Sequence, residues 1–327
     1  MAQDIKNSAD FRTDDIIIAF MGPTGSGKSF FIDLLTRQPG KRACNTPRSV
    51  TQEVEAIRIE CPGDVHGRSI VLVDTPGFDD TSRSDMQVLE LISNWLVATY
   101  KHQVTLSGLI YLHCITNNRM AGHPYKNLRI FGELCGDVAM SQVLLVTTQW
   151  QRLVEGREVG EARLGELKDK FWKPLIQRGS DVDALREATS EDAWRVVTTL
   201  VERRRNLRQA ILLQQELVDS GVTLKETYAG QALYTDYQRK LAEQKQHMKS
   251  LLGKVEALKG AGLQKDALQK EYNLIHQEFE KTFGEAKTLK RSNFERLVSL
   301  LHFLTKPKAV CGSGSLGGEA VQLSLTN

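Results

Sequence analysis

Residues 22–29 read Gly22-Pro23-Thr24-Gly25-Ser26-Gly27-Lys28-Ser29. The apolar run Ile16-Ile17-Ile18-Ala19-Phe20-Met21 comes before them, and Phe30-Phe31-Ile32-Asp33-Leu34-Leu35 comes after. The pattern G-x-x-x-x-G-K-[ST] therefore sits between a buried strand and the start of a helix, the context a phosphate-binding P-loop needs. A triphosphate packs dense negative charge, so its site requires many donors in a small volume. Glycines let the backbone wrap closely and turn its N–H groups inward. The helix N-terminus adds positive potential. On this reading Lys28 reaches the β- and γ-phosphates and the Ser29 hydroxyl ligates Mg²⁺.

A second stretch points to the same chemistry. Arg68-Ser69-Ile70-Val71-Leu72-Val73 is a short apolar strand that ends in Asp74-Thr75-Pro76-Gly77, 46 residues beyond Lys28. A hydrophobic strand ending in Asp is the Walker B arrangement, with Asp74 holding Mg²⁺ directly or through water. In D-x-x-G the Gly77 amide can hydrogen-bond a γ-phosphate and so register its presence.

Strand and helix alternate over the first two hundred residues. Strands are predicted at 15–21, 53–60, 68–73, 106–114 and 141–148, and helices at 28–37, 85–101, 126–135, 161–172 and 190–217. This alternation predicts an α/β fold, a P-loop NTPase with three α/β/α layers and a mostly parallel sheet, followed by an α-helical extension. The ligand then lies at the C-terminal ends of the strands, where Gly22–Ser29, Asp74 and Thr148 all fall.

The pairing of P-loop and D-T-P-G resembles the GTPase pattern. The form D-T-P-G-F is similar to the septin, Toc and immune-associated nucleotide-binding (GIMAP) group, and Tyr111-Leu112-His113, Asn118-Arg119-Met120, Asn127-Leu128 and Glu133-Leu134-Cys135-Gly136 resemble fungal G-domain proteins. The resemblance covers about residues 14–215. It implies GTP or GDP as ligand, Mg²⁺ as cofactor, and a switch threonine that closes on Mg²⁺ and the γ-phosphate. Thr51 matches that position best, with Thr46 as the alternative. The expected nucleotide-binding set is Gly22, Pro23, Thr24, Gly25, Ser26, Gly27, Lys28, Ser29, Phe30, Asp74, Gly77 and Thr148. Lys28, Thr51 and Gly77 are expected to support catalysis, and Ser29, Thr51 and Asp74 to hold the metal. A homodimer across the G domain or the helical extension is also implied, with Arg119 either a trans-acting finger or a solvated loop arginine.

Two departures from the pattern stand out. Phe78 follows Gly77 where Ras-like enzymes carry a water-orienting glutamine, so intrinsic hydrolysis is expected to be slow. After the predicted strand Gln142–Thr148, Gln149-Trp150-Gln151 replaces the guanine-reading N/T-K-x-D. Trp150 either stacks on a base or belongs to the core. Ala188-Thr189-Ser190 is the candidate second base loop, with Ser190 alternatively a helix N-cap. An ATP-using P-loop enzyme and a nucleotide-dependent scaffold with little hydrolysis are the competing readings.

The remaining composition sets bounds. The 327 residues carry a net charge of +3, which gives no broad nucleic-acid signal. Five cysteines, at 44, 61, 114, 135 and 311, show no metal-ligand spacing and read as reduced thiols of a cytoplasmic protein. The polar start reads as no secretory signal, and the end carries no prenylation box. The expected division is a flexible N-terminus at 1–14, a G domain at 15–217, a helical extension at 218–305 and a flexible tail at 306–327. In the extension Met248, Leu251, Val255 and Leu258 form one heptad seam, and Leu268, Tyr272, Ile275 and Phe279 form another in a different phase. The Gly260-Ala261-Gly262 break between them fits either an interrupted coiled coil with another chain or a hairpin that folds back. Residues 225–308 hold 16 Lys or Arg against 10 Asp or Glu. This excess fits contact with an acidic membrane or an ordinary solvated face.

Overall fold

The computed structural model describes residues 2–7, 10–12, 14–43, 53–60, 69–80, 82–117, 123–203, 209–257 and 262–289. Its centre is a seven-stranded sheet in the order β1-β3-β4-β2-β5-β6-β7. The strands are β1 (Gln3–Ile5), β2 (Ile16–Met21), β3 (Glu55–Glu60), β4 (Ser69–Asp74), β5 (Gly108–Cys114), β6 (Val143–Thr148) and β7 (Asp181–Ala184). β4, β2, β5, β6 and β7 run parallel, while β3 pairs antiparallel with both β4 and β1.

The sequence of β2 shows why both faces are covered. Ile17, Ala19 and Met21 point into one core, and Ile16, Ile18 and Phe20 into the other. A strand buried on both sides reads as a continuous apolar run rather than an alternation. One face is covered by α1 (Lys28–Thr36) and α6 (Ser190–Arg203), through Phe31, Ile32, Leu35, Ala193, Val196, Val197 and Leu200. The other is covered by α2 (Asp85–Lys101) and α3 (His123–Ala139), followed by α4 (Arg157–Glu166) and α5 (Lys173–Gln177). Burying each large apolar side chain in these layers contributes roughly 1.5–3 kcal/mol. Ser84 starts α2 with a reciprocal capping box to Gln87.

The structure corrects several predicted elements. β1 and β7 are short edge strands, three and four residues long, with partly polar or exposed patterns that carry no periodicity signal. The helix expected at 161–172 is α4 running into a π-helical turn at Leu167–Phe171. The single helix expected at 190–217 is divided. α6 ends at Arg203, Ile211 is extended, and a short turn, α7 (Leu212–Gln214), follows. The cap of α6 is Thr189 rather than Ser190, because Thr189 Oγ1 accepts from the Asp192 N–H at 3.2 Å.

The extension comprises α8 (Tyr228–Ala257) and α9 (Leu263–Leu289), which pack against each other. His247 pairs with Glu271 at 3.5 Å, and Glu285 lies near enough to Tyr237 for its charge to act on the phenol. These two contacts make the pair antiparallel, so within one chain the hairpin alternative is the observed one. Its base is not separate from the domain. Ala229, Ala232, Leu233, Tyr237, Ala286 and Leu289 are buried in the same core as α2 and α3. The expected tail lies outside the described residues. Among the described residues no helix is long and apolar enough to cross a membrane.

Candidate functional site

The P-loop connects β2 to α1 and lies against β4, β5 and β6. Gly22 has φ 137°, and a Cβ there would stand 2.4 Å from the Leu112 carbonyl oxygen. Only glycine fits a backbone that passes this close to β5. Gly77 is confined by proximity alone: a Cβ would stand 2.5 Å from the Thr24 backbone nitrogen. The Asp74–Gly77 turn thus rests directly on the P-loop. The Thr24 N–H donates to the Phe78 carbonyl at 2.9 Å, and Pro23 and Phe78 form an isolated β-bridge. Thr75 Oγ1 anchors the turn to Phe20 O at 2.7 Å.

The Lys28 ammonium donates to the carbonyls of Gly22 and Pro23, each at 3.0 Å, so its head curls over the loop. Burial lowers its pKa to about 8, although the charges of Asp74 and Asp80 oppose the shift. Ser29 Oγ donates to Asp74 Oδ2 at 2.7 Å. A hydroxyl and a buried carboxylate thereby meet at the mouth of the loop, and such hard oxygens suit Mg²⁺. Among the described residues no cluster of three or more His, Cys, Asp or Glu could hold a metal. The Ser29 hydroxyl and Asp74 carboxylate fit Mg²⁺, which binds through one or two side chains together with phosphates and water. The buried hydroxyls of Thr24 and Ser26 have no hydrogen-bond partner, as expected of a polar cradle shaped around an anion. Phe30 is 40% exposed, so its side chain serves no core purpose beside the loop.

Thr148, expected to touch nucleotide, directs its hydroxyl to the loop in this structure. Its Oγ1 donates to Ser26 O at 2.7 Å. Gln149 adds a second brace that sequence reasoning missed, with Nε2 donating to Gly25 O at 2.6 Å. The only sequence signal for that role is its place immediately after β6. Trp150 belongs to the core: it is buried, its Nε1 donates to Thr147 Oγ1 at 3.0 Å, and the Arg186 guanidinium lies 5.0 Å over its ring. The next carboxylate, Glu155, is engaged by Arg163 at 2.8 Å. The loop leading from β7 to α6 spans residues 185–189 and is tied to β6 by the Leu185 N–H to Thr147 O bond of 2.8 Å. Thr51, Thr46 and Arg119 lie outside the described residues, as do Cys44, Cys61 and Cys311. Cys114 and Cys135 are buried free thiols.

With this geometry in view, residues 17–120 match the family model described as 50S ribosome-binding GTPase. Similar solved structures include Toc33 from Arabidopsis thaliana in complex with Mg²⁺ and GMPPNP, at 19% identity and TM-score 0.46, covering 61% of this chain and 88% of that one. Another describes dimerization in the GTPase activity of the chloroplast translocon components atToc33 and psToc159, at 17% identity and TM-score 0.48, covering 61% and 86%. Era from Aquifex aeolicus bound to GDP and AlF4⁻ is similar at 15% identity and TM-score 0.43, covering 58% and 57%. The chain has no match among curated proteins.

The mostly parallel sheet, the P-loop and the matched segment together define the class: this chain carries a P-loop GTPase domain. The matching model is that of the 50S ribosome-binding GTPase, and it does not single out the narrower septin and GIMAP likeness.

Proposed function

We propose that the chain is a Mg²⁺-dependent GTP-binding switch whose own hydrolysis is slow. The observation that carries this reading is the convergence of Lys28, the Ser29–Asp74 pair and Gly77 on one loop. Lys28 would leave the Gly22 and Pro23 carbonyls for the β- and γ-phosphates. Ser29 and Asp74 would turn from each other to Mg²⁺, directly or through water. The Gly77 amide would meet the γ-phosphate, and Thr51, outside the described residues, is the candidate switch threonine. Mg²⁺ supplies charge neutralisation at the phosphate oxygens.

Slow turnover is supported by Phe78, which is 2% exposed and packed in the core of α2 and α3. An apolar ring committed to the core cannot orient an attacking water, so a partner or a second copy would have to supply that group. Guanine preference is supported by the matched family model, not by a carboxylate in the loop after β6.

The test is an equilibrium titration of fluorescent GTP with and without Mg²⁺, on the wild type and on Ser29→Ala. Wild-type affinity should depend on Mg²⁺, and the variant should lose most of that dependence. Equal affinity with and without Mg²⁺ in the wild type would remove the metal from the account.

A further inference from the structure

The segment after Gly77 does not end at the P-loop. Asp79 lies in the left-handed region at φ 58°, an uncommon conformation for a non-glycine residue that is here held by outside contacts. The restraint comes from two helices. The Asp79 N–H donates to Asp85 Oδ1 at 2.9 Å, at the first turn of α2. Its own carboxylate accepts from the amide of Asn127, which is fully buried on α3. Asp85 in turn accepts from Lys126, and both members of this pair are buried.

Tyr237 of α8 completes the arrangement. Its ring lies 5.7 Å from the Lys126 ammonium. Its oxygen accepts from the Met86 N–H at 3.3 Å, one residue beyond Asp85. The carboxylate of Glu285 on α9 lies close enough for its charge to help raise the Tyr237 pKa, behind the larger effect of burial. One phenol of the hairpin's first helix therefore reaches the first turn of α2, where Asp79 is anchored. Arg129 strengthens the same seam, pairing with Asp236 at 3.0 Å and donating to Ala232 O at 2.7 Å.

We infer that Tyr237 is a positioning residue for the γ-phosphate-sensing turn, so that the α8–α9 hairpin and the third phosphate are energetically coupled through Asp85, Lys126 and Asp79. This rests on the triphosphate-switch reading of the P-loop. A ligand moves a linked element only by the difference in its affinity for the two arrangements, and the linkage is reciprocal. If the γ-phosphate repositions Gly77, two residues from Asp79, the hairpin base must feel it. Removing the hairpin's hold must equally change how the site ranks triphosphate against diphosphate.

The experiment compares the wild-type chain with Tyr237→Phe, which keeps the ring over Lys126 and removes the oxygen that accepts from the Met86 N–H. Affinities for GDP and for a non-hydrolysable GTP analogue are measured by titration with Mg²⁺. The ratio of the two should shift by about fivefold or more, the lower end of typical coupling. Tyr100→Phe is the control, because that hydroxyl bonds Asp219 on the exposed surface, away from this chain of contacts; its ratio should equal that of wild type. A second measurement uses the wild type alone. Hydrogen exchange at residues 228–241 and 279–289 should differ between the GDP and analogue complexes. An unchanged ratio in Tyr237→Phe, or identical exchange in the two complexes, overturns the coupling and leaves the switch reading intact. Failure of the wild type to bind either nucleotide overturns the switch reading itself.

Discussion

Lys28 gives the site a pH dependence that can be worked from its surroundings. In the empty loop its ammonium is buried, and desolvation lowers its pKa from 10.5 to about 8. A bound triphosphate supplies adjacent negative charge, so the bound state keeps the proton and its pKa rises again. If only the protonated form binds phosphate, the apparent dissociation constant grows as one plus ten to the power of pH minus 8. Affinity should then be flat below pH 7 and about fourfold weaker at pH 8.5, close to 1 kcal/mol. The assay is a fluorescence titration with Mg²⁺ at constant ionic strength between pH 6.5 and 8.5. Lys28→Arg, which stays charged throughout, should abolish the slope whatever its absolute affinity. The same shift has a signature in the free protein. A folded pKa below the unfolded value means that the unfolded chain binds more protons between about pH 8 and 10.5, so Lys28 makes the empty protein more stable as pH rises through that window. A wild-type affinity that is level to pH 8.5, or an equal slope in Lys28→Arg, would refute the reasoning.

Two further changes test the supports of the site. Thr148→Val keeps the side-chain shape but leaves Ser26 O without its 2.7 Å donor; nucleotide affinity should fall by roughly fivefold, matching a loss of about 1 kcal/mol, and unaltered affinity would show that the brace is dispensable. Glu216 has its pKa raised to about 7, chiefly by burial and also by the charge of Glu133, while the Tyr228 N–H opposes the shift. Because its folded pKa is raised, its contribution to stability is complete below about pH 4.5 and is lost as pH climbs through 7. Glu216→Gln keeps an acceptor for Tyr228 and should raise the melting temperature at pH 8 but hardly at pH 5. A gain of equal size at both pH values would count against that assignment.

The parts of the molecule legible in the sequence are those fixed by short-range chemistry. The P-loop announces itself because glycines, Lys28 and Ser29 must stand at set spacings for the backbone to face an anion. The central strands announce themselves because Ile16–Met21 and Ser69–Asp74 are buried on both faces. What escaped has a common physical cause. β1 and β7 are edge strands that bury little, so Gln3–Ile5 and Asp181–Ala184 look like loop. Thr148 and Gln149 sit beside the nucleotide loop in sequence logic, yet they act by hydrogen-bonding carbonyls more than 120 residues away. Tyr237 lies before the Met248–Leu258 seam and belongs to no motif. Only the fold brings it to Met86 and Lys126. A seam of apolar residues specifies that a helix needs a partner, not which chain supplies it, so hairpin and coiled coil share one sequence pattern.

The most direct measurement is competition at the P-loop itself. Fluorescent GTP bound to the full chain with Mg²⁺ is displaced by unlabelled GTP or ATP, with Lys28→Ala run in parallel. GTP should displace the probe at a concentration at least about tenfold lower than ATP, a difference near 1.4 kcal/mol, and Lys28→Ala should bind no probe. Tighter displacement by ATP would contradict the GTPase assignment, and probe affinity that survives Lys28→Ala would contradict the P-loop site.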